Sequence, residues 1–274
     1  DLRIVTARPS VEDEASAEHV LYGHVDANAA YSVASWCEDV GRELQAADET
    51  SRPVLIAGGT GLYFRALEEG LSQIPAIPGE IRRAVREFVA EKGNVAAHEA
   101  LGDVDPASAS RFPSGDTQRI VRALEVHRAT GRTLTDWQAA RPSSTLLDGR
   151  PLRRVVVSRE RDEIYRRCDL RFERMLEQGA VDEVRALLER NVDPAMPAMK
   201  AVGVREIAGW LDGSLSREEA VGLAQTATRR YAKRQLTWQR GNMISWKVCS
   251  ANELERQRAE LLSFLRSEVL TVDD

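Results

Sequence analysis

Two rhythms of apolar residues run along the chain. Tyr31–Ala47 repeats hydrophobic positions at helical spacing through Val33, Trp36, Val40 and Leu44, with Ser32 or Asn28 as the cap. Pro53–Ala57 (PVLIA) is instead a short unbroken apolar run closed by a glycine pair, which predicts a buried parallel strand. A helix is expected at Leu62–Gly70. After the break at 75–79 (PAIPG), helical spacing returns in Ile81–Lys92, Ala96–Leu101, Pro106–Arg111 and Thr117–Thr130. The last of these is bounded by Asp116 as N-cap and Gly131 beyond its end. A polar break at 141–150 precedes a β-branched strand at Leu152–Val157, then a long helical stretch, Arg161–Arg190, interrupted near Gly179. Residues 194–203 form a loop and Val204–Leu211 a short helix. Ser216…Glu219 has capping-box spacing and opens a further helix. Met243–Val248 is the last expected strand and Glu253–Val269 the last helix; residues 1–30 read as irregular.

Strands alternate with helices at both ends of the chain, and the middle is all helix. This order predicts an α/β fold, a parallel-sheet core flanked by helices, built from residues 1–78 and 147–274, with an all-helical domain inserted at 79–146. A hydrophobic fraction of 43% supplies a core, and 30% charged residues fit a soluble protein. No apolar run approaches the roughly 20 residues that span a bilayer, so the expectation is a cytoplasmic chain without membrane attachment. Cys37, Cys168 and Cys249 are scattered and read as reduced thiols, and His19, His24, His98 and His127 show no metal-ligand spacing.

Charge changes the picture in one place. The chain is net acidic, with 43 acids against 38 bases, yet no Asp or Glu occurs from Ala220 to Asn252. Within that stretch TRRYAKRQLTWQR (228–240) carries Arg229, Arg230, Lys233, Arg234 and Arg240. On a helix Arg229, Lys233 and Arg240 share one side, while Tyr231 and Trp238 lie opposite with Ala224 and Ala227. The ordinary reading of such a helix is a solvated cationic face over an aromatic core face. The missing counter-charges point instead to an anionic ligand. Gly58-Gly59-Thr60-Gly61 follows an expected strand and opens an expected helix, the geometry in which backbone N–H groups meet a phosphate. It lacks the lysine of a Walker A loop, and glycine-rich turns are often purely structural. Gln118, Arg119 and Arg122 sit near the N-terminus of their helix, where dipole and charge both favour an anion. The plain alternative there is an amphipathic helix with Ile120, Leu124 and His127 buried.

Several blocks together resemble the tRNA dimethylallyltransferases, also called tRNA isopentenyltransferases, of bacterial type. They are TARPS (6–10), YS (31–32), GGTGLYFRALEEGL (58–71), DP (105–106), DTQRIVRALEV (116–126), RFERMLEQG (171–179), AVGVREI (201–207) and ATRRYAKRQLTWQRG (227–241). They span most of the chain in the family's order. The resemblance implies a P-loop-NTPase-like core with an inserted helical tRNA-binding domain. It implies transfer of a dimethylallyl group from dimethylallyl diphosphate, assisted by Mg2+, to N6 of the adenine 3′-adjacent to the anticodon, in tRNAs reading codons that begin with U. The partners implied are the tRNA anticodon stem-loop and the diphosphate, with the enzyme a monomer and no membrane involved.

By the same resemblance Thr60 and Arg229 are the catalytic residues, and Gly58, Gly59, Thr60 and Arg229 hold the diphosphate. Arg82 contacts tRNA, as do Gln118, Arg119, Ile120, Val121 and Arg122. Two more tRNA segments are Lys200, Ala201, Val202, Gly203, Val204, Arg205 and Lys233, Arg234, Gln235, Leu236, Thr237, Trp238, Gln239, Arg240. The sequence departs from the family at Val5, usually Gly, and at Val204, usually aromatic. The family's lysine-bearing P-loop and its Asp-Ser pair, whose aspartate is the general base, do not occur in these residues, so the chain as written is expected to be inactive. Two other readings compete: a noncatalytic RNA-binding protein, and a small-molecule kinase of related core. The kinase reading leaves QRIVRALEV and the acid-free helix unexplained.

Overall fold

The computed structural model describes residues 1–140 and 144–266. In chain order the helices are α1 (Val11–Ser16), α2 (Val33–Glu49), α3 (Gly61–Glu69), α4 (Gly79–Val104), α5 (Pro106–Arg111), α6 (Thr117–Thr130) and α7 (Leu134–Ala139). Strand β1 (Val155–Ser158) follows, then α8 (Arg161–Glu177), α9 (Ala180–Glu189), α10 (Val204–Leu211), α11 (Arg217–Asn242), β2 (Lys247–Ser250) and α12 (Leu254–Arg266). The expected extension of the last helix to Val269 lies outside the described residues. Two units separate by contact, Asp1–Phe64 with Gly149–Asp274, and Arg65–Asp148.

In the first unit β1 and β2 pair in parallel, with Val155 opposite Lys247 and Ser158 opposite Ser250. Both strands sit a few residues later than their apolar runs predict. Met243–Trp246 turns back on itself, with the Trp246 N–H donating to Met243 O at 3.2 Å, and Ile244 is left exposed. The larger correction concerns Pro53–Ala57, which forms no strand; Val54 is 46% and Leu55 85% exposed. An apolar run is buried as a strand only where neighbouring strands take up its edge hydrogen bonds. Among the described residues only β1 and β2 pair.

Helices carry most of this unit. Phe172 and Met175 of α8, Val184 and Leu187 of α9, Val204 and Ile207 of α10 and Ala224 of α11 form one core with Leu2 and Val5. The chain start is tied in by Glu183, whose carboxylate accepts from the backbone N–H groups of Arg3, Ile4 and Val5. Residues 1–30 are therefore less irregular than expected, and α1 is closed by a capping box between Ser10 and Asp13. Ser32, not Asn28, caps α2, its side chain accepting from Ser35 N. At Gly203 (φ +99°) a Cβ would stand 3.1 Å from Phe172 and 3.3 Å from Val5. Positive φ and crowding together demand glycine there.

The second unit is all helix. α4 is two helices merged across Gly93, where φ is 82° and ψ is 170°; they correspond to the two expected at 81–92 and 96–101. Val85, Val89, Ala97 and Leu101 of α4 bury against Ile120, Ala123, Leu124 and Val126 of α6. α6 begins on Asp116, which accepts from Arg119 N, and ends on left-handed Gly131. His127, expected in the core, is only half-buried, and Glu125 is buried instead. Asp105, 2% exposed, caps α5 through Ser108 N and accepts from both N–H and hydroxyl of Thr135 at the start of α7. One carboxylate thus joins two helix starts.

Candidate phosphate and nucleic-acid site

The glycine-rich turn at 58–61 lies directly on α11. Thr60 Oγ1 is 3.1 Å from the Tyr231 hydroxyl. A Cβ on Gly59 would fall 2.4 Å from Gln235 Nε2, and one on Gly61 2.1 Å from Trp238 Cδ2. Residues 231, 235 and 238 stand four and three apart, so the turn rests along one stripe of the helix. Close approach to the rigid Trp238 indole requires glycine at 61, whereas at 59 the flexible end of Gln235 could give way; sequence pattern alone could not distinguish this from ordinary turn chemistry. Gln235 and Trp238, read from resemblance as RNA contacts, have the faces described here turned to the GGTG segment. Trp238 also helps line an open groove of about 620 Å³ with Arg230, Lys233, Arg234, Thr237 and Asn242.

Arg229 lies two residues before Tyr231 on the same helix. Its Nη1 donates to Asp169 Oδ1 at 2.6 Å and its Nη2 to Thr226 Oγ1 at 2.9 Å. Two of its donors are thereby committed within the protein, and the rest of the guanidinium fork stays open. Asp169 was not singled out from sequence; it is sixty residues away and nothing in the spacing of α8 marks it. Arg230 and Lys233 are exposed, and Arg234 stands 5.5 Å over the Tyr231 ring.

Nearby, the Tyr63 ring stacks on Trp36 at 4.4 Å. Burial first, and then the neighbouring Tyr231, push the Tyr63 hydroxyl above the usual tyrosine range. Tyr31, from the YS pair, donates to Asp39 Oδ2, which His24 Nε2 approaches at 3.0 Å. Burial and that bond together raise the Tyr31 pKa strongly.

The remaining candidates divide by exposure. Lys200 and Arg205 are exposed at the mouth of the Gly203 turn, whereas Ala201 and Val202 are half-buried. Val204 is 1% exposed and belongs to the core, so an aromatic there would have no surface to stack from. In the second unit Arg82, Gln118 and Arg119 are exposed and Arg122 is half-buried. Ile120 is wholly buried, and as a side chain it is withdrawn from any surface. Arg119 pairs with Asp116 at 2.9 Å. Burial draws the Arg122 pKa down, partly opposed by the negative Glu125 and reinforced by the positive Arg82.

A glycine turn seated on a cationic helix, a pair of parallel strands and a second unit made of helices define an α/β protein. The chain belongs to the IPP transferase family, whose model matches residues 1–242. It is 44% identical over 262 residues to a tRNA dimethylallyltransferase of Phenylobacterium zucineum, covering 96% of this chain and 84% of that protein. A tRNA dimethylallyltransferase of Chelativorans is 48% identical over 237 residues, 86% of this chain and 81% of its own. The crystal structure of the full-length tRNA isopentenylpyrophosphate transferase of Bacillus halodurans superposes with TM-score 0.64 at 27% identity, covering 97% and 84% of the two chains. A eukaryotic dimethylallyltransferase caught acting on tRNA superposes with TM-score 0.78 over 100% of this chain and 72% of its own; at 19% identity it supports the fold alone. The protein is thus a transferase, and the P-loop-like α/β class expected from sequence stands.

No helix among the described residues is long and apolar enough to cross a membrane. Also among the described residues, no group of three or more His, Cys, Asp or Glu side chains is placed to hold a metal ion.

Proposed function

We propose that this transferase moves a dimethylallyl group from dimethylallyl diphosphate to N6 of the adenine 3′-adjacent to the anticodon of tRNA. The observation that carries the reading is the seat of Thr60 on Tyr231, which sets the glycine turn and Arg229 on one helix. In the reaction the donor's C1–O bond breaks with its electron pair leaving on the diphosphate, the N6–C1 bond forms, and N6 gives up its proton to water or to the released diphosphate. Charge grows on the departing diphosphate, and prepositioned donors lower that barrier most. Arg229, pinned by Asp169 and Thr226, supplies a fixed cation for the leaving group, with Gly58 and Gly59 offering backbone N–H groups. Thr60, whose hydroxyl is 3.1 Å from that of Tyr231, is the group assigned to the bridging oxygen and the incoming amine. Mg2+, where bound to the diphosphate, would further neutralise the charge of the leaving group.

The tRNA is held by Lys200–Arg205 and Lys233–Arg240 in the first unit, and by Arg82 and Gln118–Arg122 in the second, the inserted helical domain. Extruding the adenine costs a few kcal/mol, which several phosphate contacts offset. The test incubates the full-length gene product with unmodified tRNA transcript and dimethylallyl diphosphate, followed by nucleoside mass spectrometry. The expected product is N6-dimethylallyl adenosine at that single position. Tight tRNA binding without product would favour a noncatalytic RNA-binding protein, and phosphorylation of a small molecule would favour the kinase reading.

A further inference from the structure

Glu125 is a charged residue inside an apolar stripe. It is 5% exposed, between Leu124 and Val126 on α6, and among the described residues its Oε1 has no hydrogen-bond partner. Its ion-pair partner is Arg86 of α4, whose Nε lies 3.7 Å from that oxygen, beyond hydrogen-bond reach, and whose side chain is 65% exposed. Burying a carboxylate costs several kcal/mol, and a well-packed apolar residue at such a site is commonly as stable or more so. Stability alone therefore does not account for an acid at this position.

Its neighbours indicate another use. Arg82 and Arg86 are four residues apart and share one face of α4; Arg122 stands three residues before Glu125 on α6. Arg122 is half-buried, and both Arg82 and Glu125 are close enough to move its basicity in opposite directions. Guanidinium groups that share an anion repel one another unless a fixed negative charge lies close by. Glu125 carries such a charge, 3.7 Å from Arg86 Nε and within electrostatic reach of Arg122.

We propose that Arg82, Arg86 and Arg122 form a phosphate-binding trio and that Glu125 is its positioning residue. The proposal rests on the reading of the helical unit as tRNA-binding, and it adds Arg86 and Glu125, which that reading does not include. The ligand chemistry is a backbone phosphate of structured RNA, gripped by forked donors on a preset frame.

The experiment measures binding of a tRNA transcript to the full-length protein by fluorescence anisotropy across a salt series, with Tm recorded for every variant. Arg86→Ala removes a side chain that is 65% exposed, and because it also takes away the cation beside buried Glu125, its Tm is read together with its binding. It should weaken binding about tenfold and lower the salt slope by roughly one. Glu125→Gln keeps the shape and removes a negative charge, so general electrostatics predicts tighter binding. Positioning predicts the opposite, binding weaker by about fivefold or more at fixed salt, with Tm not reduced and Glu125→Asp recovering part of the loss. Unchanged or tighter binding by Glu125→Gln, or an unchanged slope in Arg86→Ala, overturns the trio. If Arg82→Ala and Arg122→Ala are silent as well, the fault lies with the reading of the unit as RNA-binding.

Discussion

Arg229 on α11 and Asp169 on α8 form an ion pair of 2.6 Å in which each side chain is about one-third exposed. An arginine held this way keeps its orientation when no anion is present, so the ordering entropy is lost on folding and not on binding.

Arg229→Ala should therefore lower kcat for prenyl transfer by about 10²- to 10³-fold and leave tRNA affinity nearly unchanged. Asp169→Asn keeps the side-chain shape and loosens the guanidinium, raising the KM for dimethylallyl diphosphate roughly tenfold. Steady-state kinetics beside tRNA anisotropy decide the matter. Equal losses of catalysis and tRNA affinity in Arg229→Ala would remove the diphosphate role.

Gly61→Ala tests the seat of the turn. Alanine in a helix is ordinarily better than glycine by about 0.5–1 kcal/mol. Here the new methyl would overlap the Trp238 indole, at 2.1 Å from Cδ2, and overpacking costs about 1–3 kcal/mol. The expected result is a lower Tm, partly regained in the double variant with Trp238→Leu. A rise in Tm for Gly61→Ala would mean that the turn does not rest on α11.

Arg119→Ala removes an exposed guanidinium beside Asp116. The salt slope of tRNA binding should fall by roughly one unit, with the product still placed on the same adenine. A constant slope would return the start of α6 to an ordinary solvated face.

Asp105 is expected to contribute to the pH dependence of stability. Burial acts to raise its pKa, but the bonds from Ser108 and Thr135 together outweigh it, and the net shift is downward. A carboxyl depressed in the folded state stabilises fully above the ordinary aspartate range, near pH 4, and loses that contribution as pH falls through its folded value. Asp105→Asn should cost about 1–3 kcal/mol at pH 7, with the gap to the unaltered protein narrowing in acid. Urea midpoints at pH 7 and pH 3 measure it; a gap independent of pH would exclude the carboxylate's charge as the cause.

Helices were legible from sequence wherever caps and spacing agreed, as in α6 between Asp116 and Gly131 or α10 at 204–211. Local signals suffice there, because a helix satisfies its own backbone. Strands depend on partners distant in sequence, so Pro53–Ala57 was read as a strand on composition and β2 was placed four residues early. The site followed the same division. Thr60 and Arg229 stood out by motif, whereas Asp169, the contact of Gly59 with Gln235 and the burial of Glu125 depend on tertiary contacts. Spacing on one helix carries no record of what lies across from it.

Because Tyr231, Gln235 and Trp238 hold the turn while Arg229 precedes them on the same helix, α11 works as a ruler. The separation between the Thr60 hydroxyl and the guanidinium is set by helix rise, about 1.5 Å per residue, and no hinge in α11 interrupts it. Insertion of one residue between Arg229 and Tyr231 would swing the arginine by about 100° about the axis. Substitution is tolerated at many places along such a helix. A change of length between these two residues is not, so natural variation in this segment should consist of replacements without gaps.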